Sequence, residues 1–283
     1  MPKLPVAVIT GATGGIGSAV AKRLAREGYR VGLTARGWDR LIALNKSIED
    51  EDVDEFGFPT REVMWCSGEI QNIRHVECLM DMVMAKWGRI DLLVTCHGAE
   101  PCIKPSEDVT EADWQKIWET DVTGSFRVCQ AVGRQMLAQG SGCIVNLSSI
   151  HAFASYPQRS IYAAAKSAVV GFSRVLAIEW ADRGVRVNCI APAQVDGERT
   201  RNIARVHSDY SGCASPDNCK ICLDDKLELM RQRMPSRQFV QPEDVAETVL
   251  WIARTPSVNG QTIILDGGLL VSSYYEPYLE RNE

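Results

Sequence analysis

The chain has 283 residues, 45% hydrophobic and 24% charged, with a formal net charge of −5, a composition that suits a globular protein able to bury a core without disulfides or metals. No run reaches the ~18 consecutive apolar residues of a spanning helix, and no concentrated basic surface is encoded, so neither membrane nor nucleic acid is expected as a partner. The opening Met1-Pro2-Lys3-Leu4-Pro5 has no charged-then-apolar leader and the closing Glu280-Arg281-Asn282-Glu283 no retention address, which predicts a cytoplasmic protein. Seven of the ten cysteines are scattered singly and suit buried thiols in a reducing compartment.

Short β-branched runs alternate with helical patterns along the whole chain. Strands are predicted at Val6–Ile9, Tyr29–Thr34, Arg61–Cys66, Ile90–Thr95, Cys143–Leu147, Val185–Ile190 and Gln261–Leu265. Helices are predicted at Gly15–Glu27, Trp38–Glu49, Ile73–Trp87, Thr110–Gln139, Arg159–Ala181 and Gln241–Arg254. The acidic stretch Glu49–Glu55 reads as a solvated loop. Nearly all-apolar strands separated by helices imply a parallel sheet covered on both faces. The expected fold class is therefore α/β, a single doubly wound Rossmann domain spanning 1–283 with a seven-stranded parallel sheet.

The stretch Ala193–Pro235 lacks strand signals and is polar and cysteine-rich. A connection that long in a compact domain is usually a functional lid or a disordered segment. In a doubly wound fold the carboxyl ends of the strands hold the ligand, so the insertion at about residues 194–236 reads as a substrate lid.

Gly11-Ala12-Thr13-Gly14-Gly15-Ile16-Gly17 links the first strand to the first helix. Glycines there permit a tight turn and let a pyrophosphate approach the backbone N–H groups at the helix N-terminus. At the end of the second strand, an acid would accept from a ribose 2′-hydroxyl and an arginine would meet a 2′-phosphate. Thr34-Ala35-Arg36 offers the arginine and no acid, so the expected cofactor is NADP(H). Tyr162 and Lys166 lie one turn apart on one helix face. A nearby ammonium favours the phenolate form of a tyrosine, whose free pKa of ~10 otherwise makes it a poor acid–base group at neutral pH. Ser149, at the end of the fifth strand, falls at the same crevice.

On these motifs, with Arg186-Val187-Asn188, Pro192 and the closing Asp266-Gly267-Gly268, the chain resembles the short-chain dehydrogenase/reductase family from about Pro5 to Gly268. It is similar to 3-oxoacyl carrier-protein reductases and carbonyl reductases within that family. The resemblance implies that Tyr162 exchanges a proton with the substrate oxygen, that Ser149 hydrogen-bonds that oxygen, and that Lys166 binds the nicotinamide ribose. It also implies cofactor contacts at Gly11, Thr13, Gly14, Gly15, Ile16, Gly17, Arg36, Glu69, Ile70, His97, Gly98, Tyr162, Lys166, Pro192 and Val195. Glu69-Ile70 stands where the family has Asp-Val.

Several positions depart from the family pattern. Thr95-Cys96-His97-Gly98 replaces Asn-Asn-Ala-Gly, Ala193 replaces a glycine after Pro192, and Gly197 replaces a threonine for which Thr200 is the nearest substitute. Asp121 occupies the place of the fourth catalytic residue, an asparagine that holds a proton-relaying water beside the lysine. A carboxylate there pairs with Lys166 and acidifies the phenol less. His151 is a candidate substrate contact, and a structural histidine is the competing reading.

His207, Cys213, Cys219 and Cys222 could close a zinc site, pair as disulfides, or stand as free thiols; a reducing compartment favours free thiols, and no metal is expected. The tail, residues 271–283, carries Tyr274, Tyr275 and Tyr278 and either frays or packs on a neighbouring subunit. Enzymes the chain resembles are often homo-oligomers, so a tetramer or dimer is expected. The expected activity is NADPH-dependent reduction of a ketone, or of an acyl-thioester ketone, to a secondary alcohol. The alternative is a binder of the same fold with a non-redox (isomerase or cyclase) or regulatory role, which the Asp121, His97 and Gly197 departures favour.

Overall fold

A computed structural model describes residues 4–51, 60–206 and 222–272. Seven strands form one parallel sheet: β1 (Val6–Thr10), β2 (Arg30–Ala35), β3 (Val63–Ser67), β4 (Leu92–Thr95), β5 (Gly142–Leu147), β6 (Val185–Pro192) and β7 (Thr262–Leu265). Their spatial order is β3-β2-β1-β4-β5-β6-β7. The chain thus winds outward from β1 to β3, then returns to place β4 on the other side of β1. At that reversal the loops leaving β1 and β4 diverge to opposite faces and leave a crevice at the carboxyl edge.

Helices α1 (Gly15–Arg26), α2 (Trp38–Glu49) and α9 (Pro242–Arg254) cover one face, with Val20, Leu24, Leu41 and Val249 buried against Ile9, Leu33 and Val145. Helices α3 (Ile73–Trp87), α5 (Gly124–Gln139) and α6 (Ser160–Trp180) cover the other, where Leu79, Val83, Val132 and Leu176 pack on Val8, Leu93 and Ile144. Alternate strand residues point to opposite faces, so all five residues of β1 and all four of β4 are buried. The sheet thus has the doubly wound, seven-stranded parallel architecture expected from the sequence. Helix α6 and the turn after it, Ser160–Arg183, are long and apolar enough to cross a membrane; here Val169, Val170, Leu176 and Ala177 are buried in the core.

Two predicted segments differ in detail. Thr110–Gln139 is helical as expected but not α-helical throughout: α4 (Glu111–Ile117) runs into a π-helical turn at Trp118–Thr123 before α5 begins. Thr110 and Asp113 form a capping box that starts α4. The π turn admits an extra residue per turn, and it faces Asp121, fully buried, toward α6. The stretch Ala193–Pro235, read as irregular, contains α7 (Glu198–Val206) and α8 (Leu223–Gln232) within its described residues. Both are short and dense in charge, so their apolar stripe is thin: Leu227 and Met230 bury one side of α8. The last helix is α10 (Leu269–Ser272). Most of the acidic loop and the tyrosines of the tail lie outside the described residues.

Two polar networks tie the crevice edge together. Thr95 Oγ1 donates to Asn146 Oδ1 at 2.8 Å, and Asn146 Nδ2 donates to Ser173 Oγ at 2.9 Å, linking β4, β5 and α6. His97 bridges Thr10 Oγ1 on β1 (2.6 Å from Nδ1) and Ser125 Oγ on α5 (3.1 Å from Nε2). Loss of solvent pushes the imidazole pKa from 6.5 down to about 4. A ring that is neutral when folded and protonated when unfolded makes the unfolded chain bind more protons between those values. Stability is therefore expected to fall as pH drops from 6.5 toward 4, by at most ~1.4 kcal/mol per pH unit, less where cleft water reaches the ring. Urea denaturation across pH 4–8 is expected to show a steeper acid loss for the native chain than for His97→Asn, which cannot titrate. Parallel curves would mean that the folded ring protonates freely.

Candidate active site

The crevice is a cleft of about 540 Å³ running along the carboxyl ends of β1, β2, β4, β5 and β6, within the ~300–1,000 Å³ range of small-molecule sites. One wall is the β1–α1 turn, to which Gly11, Thr13, Gly14, Gly15, Ile16 and Gly17 all contribute. Gly11 has φ of 62°, and a Cβ there would stand 2.5 Å from the His97 backbone nitrogen. A Cβ on Gly17 would strike the Gly11 carbonyl at 2.3 Å, whereas one on Gly15 would meet nothing within 4 Å. The first two glycines let the turn close on itself, and the third leaves the helix end open to the cleft. Helix α1 has no side-chain cap and no acid in its first turn. Its free N–H groups and positive dipole end suit an anion, so the cradle fits a pyrophosphate.

The cleft extends over the end of β2, where Arg36 is exposed and lines it. Arg40, in the first turn of α2, lines the same end; sequence reading missed it, although a basic residue in the first turn of the helix after β2 was available as a signal. Ile70 is in the wall, but Glu69 is exposed and does not line the cleft; Gln71 does. Gly98, His97, Pro192 and Val195 also line it. Thr200, the substitute for the threonine missing at Gly197, is buried, and its hydroxyl donates to the Val195 carbonyl.

At the other end Ser149, Tyr162 and Lys166 line the same cleft. Ser149 leaves β5 in extended geometry, and its Oγ accepts from the His151 N–H at 3.3 Å. Tyr162 and Lys166 share a face of α6, with the ammonium 5.6 Å from the phenol ring centroid. Lys166 is 4% exposed. Its Nζ donates to the Leu147 carbonyl at 3.3 Å and lies 3.1 Å from Asp121 Oδ2. The Ala99 N–H donates to Asp121 Oδ1 at 2.6 Å. Asp121 thus lies behind the cleft wall rather than in it. Cys96, in the wall, has its thiol pushed up to about 12 by burial and stays neutral. His151 lines the cleft with its ring edge-on to Tyr162 at 5.5 Å and to Tyr156 at 5.4 Å.

A residue unmarked by the sequence reading also reaches this end. Arg199 of α7 lies with its guanidinium carbon 5.7 Å from the Tyr162 ring centroid, and its Nη2 donates to the Ala99 carbonyl at 2.6 Å. No motif flags an arginine in so variable a stretch. Of the cysteine cluster, only Cys222 falls among the described residues; its Sγ accepts from the Asp225 N–H at 3.5 Å and caps α8. Among the described residues no three His, Cys, Asp or Glu side chains cluster as a metal site would require.

Comparison with known proteins agrees with this geometry. The sequence profile of the short chain dehydrogenase family matches residues 5–207. The chain is 31% identical over 268 residues to the D-threitol dehydrogenase of Mycolicibacterium smegmatis, covering 94% of this chain and 93% of that one. It is 31% identical over 269 residues to a 3-oxoacyl-[acyl-carrier-protein] reductase of Synechocystis, covering 94% and 97%. The fold superposes on a variant of actinorhodin polyketide ketoreductase solved with NADPH at a TM-score of 0.84 and 29% identity, covering 94% of this chain and 97% of that one. With its family profile matched over most of its length and its glycine turn, sheet order and strand-end cleft in place, the chain belongs to the short-chain dehydrogenase/reductase family of oxidoreductases.

Proposed function

We propose that the chain is an NADP(H)-dependent oxidoreductase that interconverts a ketone and a secondary alcohol, with Ser149, Tyr162 and Lys166 as its reacting and binding groups. The observation that carries this reading is the single cleft in which those three side chains share a wall with the uncapped end of α1 and with Arg36. A bound nicotinamide supplies or accepts the hydride. Arg36, with Arg40 beside it, meets the 2′-phosphate through charge-assisted hydrogen bonds, and the α1 N-terminus meets the pyrophosphate. Tyr162 gives its phenolic proton to the carbonyl oxygen during reduction and takes it back during oxidation. Ser149 donates to that oxygen as negative charge grows on it. Lys166 holds the ribose hydroxyls and lies beside the phenol, with Asp121 opposing its charge.

The segment after β6 acts as a lid: Gln194 to Thr200 and Met230 line the same cleft as Ser149, so substrate choice is made there. Relatives named for a polyol and for an acyl-carrier-protein thioester suit a polar ketone or a 3-oxoacyl thioester. The exposed apolar side chains Phe126, Val175 and Ile178 on α5 and α6 suit a subunit interface and a homo-oligomer.

Tyr162→Phe is expected to lower NADPH-linked turnover of a responsive ketone about 10²- to 10⁴-fold, while a fluorescence titration shows NADPH still bound. Full turnover in that variant would remove Tyr162 from the proton-exchanging role, and a native chain that binds NADPH but turns over no ketone would leave the non-redox or regulatory reading in its place. Arg36→Ala is expected to weaken NADPH about ten- to hundredfold, the loss of one charge-assisted contact, and to leave NADH binding unchanged. Equal effects on the two nucleotides would remove the basis for the phosphate preference.

A further inference from the structure

Three charged side chains from three elements meet around the Tyr162 phenol, and their balance is unusual. Lys166 is the cation on its own helix, but Asp121, fully buried, stands 3.1 Å from its ammonium. At such a distance a buried carboxylate cancels most of the ammonium's field beyond the pair. A phenol that must part with its proton is left with little net positive charge from that pair alone.

Arg199 supplies a second cation, as near to the phenol ring as Lys166 is: 5.7 Å against 5.6 Å. It is held through the same residue that holds the anion. The Ala99 N–H donates to Asp121 Oδ1 and the Ala99 carbonyl accepts from Arg199 Nη2, each at 2.6 Å. Gly98 lies between the two groups, a Cβ there being 3.5 Å from Arg199 Nη1 and from Asp121 Oδ1 alike, in ordinary van der Waals contact with both. Among the described residues no carboxylate lies within 4.0 Å of the Arg199 guanidinium, so its charge is not consumed by a direct ion pair.

The other groups facing this end of the cleft are mostly neutral or acidic, with Arg159 a further cation. His97 and Cys96, on the loop after β4, are both neutral near pH 7. His151 presents its ring edge-on to the phenol, and Arg159 is buried at the start of α6. Glu100, Asp196 and Glu198 line the cleft with negative charge.

We propose that Arg199 is a positioning residue for proton transfer at Tyr162, restoring above the phenol the positive charge that Asp121 removes beside Lys166. The acid–base site is then complete only when α7, part of the segment after β6, is seated against Ala99. The idea rests on the reading of Tyr162 as the proton-exchanging group, so its test uses a signal that needs no turnover.

With 3-fluorotyrosine incorporated at Tyr162 of the full chain, the fluorine NMR shift reports the ionisation of that one phenol. Arg199→Gln is expected to raise the ionisation midpoint by about one pH unit, the effect of one charge at this range in a protein of intermediate dielectric. Arg199→Lys is expected to hold the midpoint near that of the parent. Asp121→Asn, which removes the anion and leaves Arg199 in place, is expected to move it down by a similar amount, and Asp121→Asn with Arg199→Gln to return it close to the parent. An unmoved midpoint in Arg199→Gln or in Asp121→Asn overturns the proposal. So does an unmoved midpoint together with a raised KM confined to carboxylate-bearing ketones, which would make Arg199 a substrate contact. If Tyr162→Phe keeps its turnover while these midpoints shift as expected, the reading of Tyr162 as the proton-exchanging group fails and the electrostatic arrangement stands.

Discussion

A carboxylate and an ammonium buried 3.1 Å apart set the terms for everything around them. Taking both charges out of water costs several kcal/mol each, and their attraction repays that only when the remaining donors and acceptors are also met. The fold meets them with backbone: the Ala99 N–H on Asp121 and the Leu147 carbonyl on Lys166. Those two peptide groups lie just past the ends of β4 and at the end of β5. The pair is therefore fixed by the parallel sheet itself, and the sheet's carboxyl edge has little freedom to shift without stranding a charge. The π turn at Trp118–Thr123 belongs to the same constraint, because it carries Asp121 to within reach of α6.

The loop after β4 shows how far a family pattern can be rewritten while the geometry is kept. Thr95 and His97 stand where asparagine and alanine are usual, and each has found partners suited to its own chemistry. Thr95 enters the buried Asn146–Ser173 chain, and His97 spans Thr10 and Ser125. The imidazole stays neutral because its surroundings withhold water, which leaves both nitrogens free to bridge two hydroxyls. The backbone of His97 also closes on Gly11, where no Cβ would fit. The strand-end loop thus supports the Gly11–Gly17 turn from behind, and strain in one would be felt in the other.

Much of this was legible in the sequence because it is periodic or punctuated. Nearly all-apolar runs identified the parallel strands, and the Gly11–Gly17 turn between a strand and a helix marked the anion cradle. Tyr162 and Lys166 stood out through their one-turn spacing. Less legible were features decided by tertiary context. Nothing in Trp118–Thr123 announces a π turn, since the extra residue is tolerated only because a buried ion pair holds it. Helices α7 and α8 were hidden by their charge, which dilutes the hydrophobic stripe that a periodicity argument needs. Glu69 was assigned to the cleft by analogy with an aspartate in relatives, and its exposure follows from Ile70 taking the buried place in that turn.

Arg199 illustrates the general reason. Its neighbours in sequence say nothing of Tyr162, and its approach to the phenol depends on a peptide group a hundred positions earlier. A substitution of Asn by Asp beside a lysine looks, in isolation, like a loss of catalytic potential. Seen with the arginine, it is one half of a charge exchange between the permanent wall of the cleft and the segment that covers it. Under the proposal, an anion in the wall and a cation on α7 together set the charge around the phenol. Under the same proposal, the departure from the family pattern at Asp121 is answered by a residue of α7 and not by another residue of the wall.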